Sequence, residues 1–173
     1  MKRIVLFAIA FVFLLQVSAF ADSKIGVFNM RTVMVDCDYG KAVAAKLQAQ
    51  FKPMEEELNH EAESIKKLED ELKNQDLALK LDAKQDKQRE YRRKARDYQD
   101  SVVAYRQKRQ AAEQQLGQPV VAKIIKVMTE YGKKNSYTAI FEMGASGVSY
   151  VGDGVDITKE LIKELNELKK AGK

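Results

Sequence analysis

Residues 47–72 read LQAQFKPMEEELNHEAESIKKLEDEL, and their spacing decides the fold. Phe51, Leu58, Ile65 and Leu72 recur every seven residues, and Leu79 keeps that register. A second series falls four residues ahead of the first: Leu47, Met54, Glu61 and Leu68, with Glu61 as its polar exception. This is the a/d pattern of a coiled coil, about two apolar positions in seven. Downstream, residues 91–105 read YRRKARDYQDSVVAY. There Tyr91, Tyr98 and Tyr105 repeat every seven residues, with Ala95 and Val102 between them. The two stripes predict one long antiparallel helical hairpin over residues 43–116. A seam this thin holds two helices together but encloses no core. The hairpin must therefore project as an arm from a body built elsewhere in the chain. At ~1.5 Å per residue the arm is ~50 Å long.

Charge supports the hairpin. The chain has 30 Lys and Arg against 25 Asp and Glu, a formal charge of +5. Residues 55–71 hold eight acids against Lys66 and Lys67, a balance of −6, while residues 80–109 hold eleven bases against five acids, a balance of +6. Oppositely charged runs suit an antiparallel pair, although each exposed cross-helix pair contributes only a few tenths of a kcal/mol. Pro53 either restarts the ascending helix or bends it, and a bend in a continuous arm is the expectation. The reversal falls between residues 74 and 84, where no glycine or proline marks it.

Residues 1–21 read as a leader. Met1, Lys2 and Arg3 give a short positive start, residues 4–17 are apolar except for Gln16, and Ala19-Phe20-Ala21 forms an A-x-A cleavage site. The run is shorter than the ~20 residues that a membrane span needs. A cleaved secretory signal is expected, leaving residues 22–173 to act outside the cytoplasm.

The body is expected from residues 22–46 and 117–173, and the arm from residues 47–116. KIGVFNM (24–30) reads as a strand with large apolar groups on both faces. A helical turn over residues 31–38 leads to the long helix from about Tyr39. The descending arm is expected to end at Gly117-Gln118-Pro119, with Pro119 opening a new helix whose stripe is Val121, Ile124, Ile125 and Met128. Gly132 should close that helix. YTAIFE (137–142) and VSYV (148–151) read as an antiparallel strand pair. Asp156 or Thr158 caps a last helix carrying Ile157, Leu161, Leu165 and Leu168. The fold class is α+β: a small strand-and-helix body with a long protruding coiled-coil hairpin. Apolar faces left over on so small a body point to self-association.

No constellation carries catalytic chemistry. The sequence has no Gly-rich phosphate loop and no G-x-S-x-G motif, and ATP use is not expected. One histidine, His60, and one cysteine, Cys37, make neither a zinc site nor a Cys/His pair. No enzyme, cofactor or metal is expected. Cys37 reads as a small buried side chain. The basic run over residues 87–96 includes Arg92, Arg93, Lys94 and Arg96. It is a solvated face paired to the acidic helix or a site for anionic lipid head groups. Outside the cytoplasm nucleic acid is not the expected partner. The three tyrosines either fill the seam or line an inner surface that touches unfolded chains.

Taken in order, these features resemble the Skp/OmpH family of periplasmic chaperones of Gram-negative bacteria. They are the leader, the strand KIGVFNM running through Cys37-Asp38-Tyr39-Gly40-Lys41 into Leu47 and Phe51, the charged hairpin, and IFEMGASGVSYV followed by Asp156-Ile157-Thr158. Asn29, Cys37 and Pro53 depart from the pattern. The resemblance implies a homotrimer in which three bodies form a hub and three arms surround a cavity. It implies an ATP-independent periplasmic holdase for unfolded outer-membrane proteins. Phe51, Met54, Leu58, Tyr91, Tyr98 and Tyr105 are then the client-facing candidates. Ile25, Val27, Val121, Ile124, Ile125, Met128, Ile140, Val148 and Tyr150 are the candidates for the trimer body. Affinity for anionic lipid or lipopolysaccharide is implied as well, with Arg106, Lys108 and Arg109 added to the basic run. The alternatives are an envelope coiled-coil scaffold and a lipid- or lipopolysaccharide-binding protein.

Overall fold

The computed structural model describes residues 23–74 and 81–172. The expected leader and most of the hairpin tip, with Leu79, lie outside them. The elements are β1 (Ile25–Phe28), α1 (Met30–Asp36), α2 (Asp38–Asn74), α3 (Leu81–Lys134), β2 (Ala139–Glu142) and α4 (Thr158–Lys170).

Short-range chemistry sets the first corner. Asn29 caps α1 by accepting the Thr32 N–H at 2.8 Å. The backbone then turns at Cys37, and α2 begins at once. A Cβ on Gly40 would stand 1.6 Å from the Met34 carbonyl oxygen, so only glycine lets the two helices meet this closely. The N–H of Asp38, at the start of α2, donates to Asn166 Oδ1 at 2.7 Å, which ties this corner to α4.

α2 runs unbroken for 37 residues with Pro53 inside it, so the proline does not restart the helix. Pro53 and Ala49 are both exposed, so the carbonyl that loses its intrahelical donor faces water. α3 is longer, 54 residues and about 80 Å. It passes straight through Gly117 and Pro119, where a break was expected. Gly117 is buried and lies against the Met34 side chain, so its smallness serves packing. Pro119 is exposed on the solvent side. Gly132 is also inside α3, and there its missing Cβ makes room for Ile140. The helix instead ends at Lys134, and Ser136 just beyond it takes φ 57°. The Tyr137 N–H reaches back to the Gly132 carbonyl at 2.9 Å, the 6→1 bond of a Schellman cap.

The core gathers the ends of several elements. Phe28, Val33, Cys37, Val120, Ile124, Val127, Ile157, Leu161 and Leu165 form one buried cluster. The face that α3 turns inward is therefore Val120, Ile124 and Val127. Val121 and Ile125 sit one residue round the helix, and Ile125 is 47% exposed. Of the expected stripe, Ile124 is central and Met128 packs at the edge.

The sheet has two strands, and they are parallel: Ile25 pairs with Ala139 and Phe28 with Glu142. The other edge of β1 takes the segment before α4. Val27 donates to the Val155 carbonyl and accepts from the Ile157 N–H, each at 2.9 Å. The expected antiparallel partner at residues 148–151 is not a strand, and residues 147–150 carry no regular structure. Glu142 explains the difference. Its carboxylate accepts the N–H groups of Met30 at 3.2 Å and Ala145 at 2.5 Å. Its carbonyl accepts the Ser146 N–H at 3.0 Å. The chain leaving β2 thus curls onto the start of α1 instead of reversing beside β2. Asp156 then accepts the Thr158 N–H at 2.9 Å and starts α4.

Candidate functional site

The arm has few buried side chains among its described residues, Phe51, Leu68 and Ala112. Its seam follows the heptads. Phe51 is 2% exposed and Leu68 is buried, while Leu47, Met54, Leu58, Ile65 and Leu72 are half-buried. From α3, Tyr91, Ala95, Tyr98, Val102 and Tyr105 are half-buried opposite them. The Phe51 and Tyr105 rings meet edge to face, 5.8 Å apart. Phe51 is therefore closed off from solvent while the helices are paired. Met54, Leu58, Tyr91, Tyr98 and Tyr105 keep part of their surface in water.

A polar clasp closes the seam near the body. The Tyr105 hydroxyl donates to Glu55. Arg109 donates to Glu55 at 3.0 Å, to the Tyr105 hydroxyl at 2.9 Å and to Glu113 at 3.0 Å. Bonding to Tyr105 and then to Glu113 holds its guanidinium above the ordinary arginine range. Arg109 is thus engaged in holding the arm, which a reading by charge alone misses. Nearer the tip, Lys87 pairs with Glu71 at 2.6 Å, and Lys94 donates to Ser64 at 2.9 Å. Among the described residues, Lys87–Glu71 and Arg109–Glu55 pair across the arm, and other pairs of the arm run along a single helix. Lys73, for example, is bonded to Glu69 and raised above its usual value by that contact.

The basic candidates separate on this geometry. Lys94 and Arg109 face the partner helix, and Arg96 lies 3.8 Å from Asp97. Among the described residues, Arg92, Arg93, Arg106 and Lys108 are exposed and form no ion pair. No group of three or more His, Cys, Asp or Glu is placed to hold a metal ion among the described residues.

The body candidates divide as well. Val27 and Ile124 are buried inside the protomer. Val121, Met128 and Ile140 are half-buried. Ile25, Ile125, Val148 and Tyr150 are exposed, Tyr150 by 86%. Phe141, 44% exposed on β2, and Val35 on α1 belong with them and were not expected. The period-two alternation of YTAIFE carries the signal for Phe141, since Ile140 turns inward and its neighbour must turn out. An apolar groove of about 630 Å³ runs between Met34 and the Gly117–Ile125 side of α3.

Residues 24–165 match the family described as outer membrane protein (OmpH-like). The chain belongs to the OmpH-like family. No curated protein matches it. Among solved structures, the OmpH-like fold is similar to that of a proposed outer membrane chaperone (OmpH-like) from Caulobacter crescentus. The TM-score is 0.60 at 17% identity, over 84% of this chain and 85% of that one. At that identity the likeness is one of fold.

Proposed function

We propose that this chain is an ATP-independent holdase of the periplasm that shelters unfolded outer-membrane proteins between projecting arms until they reach the membrane. The observation that carries this reading is the arm itself: helices of 37 and 54 residues, paired through a seam in which few of the described side chains are buried. Such a hairpin supplies area without a fixed pocket. An unfolded membrane β-strand exposes apolar groups at alternate positions and aggregates in water. Many weak contacts along the arms retain it while each one exchanges quickly. Membership of the OmpH-like family supports the reading, as do the expected leader and the likeness to the Caulobacter crescentus protein. The apolar side chains left in water on the body, Ile25, Ile125, Phe141 and Tyr150, support assembly through the bodies as a homotrimer. In this reading the body is residues 22–46 with 117–173, and the arm is residues 47–116.

The test is light scattering from an unfolded outer-membrane protein diluted out of denaturant with and without this chain, with the mass of the assembly measured in parallel. Suppression at one trimer per client is the expected result. Unchanged aggregation at that ratio would overturn the proposal.

A second reading has its own observation. Arg92, Arg93, Arg106 and Lys108 form no ion pair and face water, which suits anionic lipid or lipopolysaccharide.

A further inference from the structure

The seam of the arm has one layer that contradicts its own pattern. Glu61 occupies a position that the heptad reserves for an apolar residue. Its Oε2 is fully buried and has no hydrogen-bond partner, and it is the one side-chain oxygen so placed among the described residues. Two clefts share Glu61 as a wall. One, of about 380 Å³, opens beside Ile65 and Tyr98. The other, of about 160 Å³, opens beside Leu58 and Ser101. Better-buried side chains stand on either side: Phe51, against Tyr105, toward the body, and Leu68 toward the tip, although a third cleft of about 410 Å³ opens beside Leu68.

We propose that the arm's joint lies at the Glu61 layer and not at Pro53. A buried carboxylate oxygen without a partner costs free energy, and parting the helices there returns it to water. The clefts mean that little packing is lost when the helices part. Local opening is drawn from such layers, where few apolar contacts hold the backbone shut. Pro53 lacks these properties. It is exposed, the helix continues through it, and Phe51 beside it is among the best-buried residues of the arm. Opening at Glu61 uncovers Leu58, Ile65 and Tyr98 at mid-arm. Their meeting with a client rests on the proposed function, whereas the joint itself does not.

Hydrogen exchange on the whole protein without client tests the joint, so its outcome is separate from any result on aggregation. Amides of residues 57–65 should exchange faster than those of 47–54 and 66–70. Glu61→Leu fills the layer and should slow exchange there about tenfold, with 47–54 unchanged. Glu61→Gln removes the charge and should slow it by less, and it serves if the leucine variant does not fold. Pro53→Ala should leave residues 57–65 as they are. Uniform exchange along the seam, no response to either Glu61 variant, or slowing at 57–65 by Pro53→Ala would each overturn the proposal.

Discussion

The ring of Phe51 stands edge-on to the ring of Tyr105, with an interplanar angle of 87°. The pair pins the two long helices together at the level where the Tyr105 hydroxyl also bonds Glu55. Phe51→Ala removes one half of it. Phe→Ala in a closed core costs about 3–5 kcal/mol, and this seam is open on both flanks, so we expect about 3 kcal/mol. Tyr105→Phe keeps the ring contact but loses the hydrogen bond to Glu55 and the one from Arg109, and should cost about 1–2 kcal/mol. Thermal unfolding followed by helical circular dichroism measures both, and equal losses would deny the ring contact its role.

Gly40 should tolerate no side chain. Even alanine would set its methyl against the Met34 carbonyl, and neither backbone can yield without breaking the corner between α1 and α2. Gly40→Ala should cost about 3 kcal/mol or more, the upper range for overpacking. Gly154→Ala is a useful contrast. It has open space around it but a positive φ of 78°, so its cost is backbone strain alone, of about 1 kcal/mol. Urea midpoints of the two variants separate steric conflict from strain.

Glu142 makes the turn after β2 sensitive to acid. Hydrogen bonds from the backbone of Gly144, then of Met30 and Ala145, hold its carboxyl below the usual 4.5. A lowered folded value means that the stabilisation is fully present at neutral pH. It is lost as pH falls below about 4.5 and through the folded value. Glu142→Gln should remove that dependence. Exchange of the amides of residues 143–146, followed from pH 7 to pH 3, should show a transition in the parent and none in the variant.

Arg92 and Arg93 should carry part of the affinity that the arm has for anionic surfaces. Each charge near such a surface contributes about 1 kcal/mol, so replacing both by Gln should weaken vesicle binding roughly thirty-fold. Lys94→Gln should matter less, because Lys94 is held against Ser64. Co-sedimentation with vesicles containing phosphatidylglycerol, at two salt concentrations, measures the effect. Equal losses from Lys94 and Arg92 would point to net charge and not to a patch.

The heptads made the arm legible, because a seven-residue repeat fixes which side chains can meet along a straight seam. Phe51, Leu68 and the tyrosines of α3 lie where that repeat puts them. The body was less legible, because local rules there give way to packing. Pro119 and Gly132 look like helix punctuation, yet both sit inside α3, one turned to solvent and the other making room for Ile140. The expected α3 stripe holds at Ile124 and Met128, but its other inward positions are Val120 and Val127, not Val121 and Ile125. Both sets are apolar, and only contact with α1 and α4 chooses between them. The turn after β2 was read as a hairpin because nothing local reveals that Glu142 binds the backbone of Met30, 112 residues away in sequence. Among the site residues, nothing in the sequence marks Arg109 as bonded to Glu55, Tyr105 and Glu113, because Glu55 lies on the other helix.

The strand β1 lies between β2 and the segment at residues 155–157, so both of its neighbours come from the far end of the polypeptide. Synthesis delivers β1 first and must then release more than a hundred residues before either neighbour exists. The hairpin needs no such wait, because its pairings are close in sequence near the tip and can zip downward from there. The order of assembly is therefore limbs before trunk. A chain cut short between residues 143 and 154 would keep a folded limb on a trunk missing one neighbour of β1 and all of its closing helix.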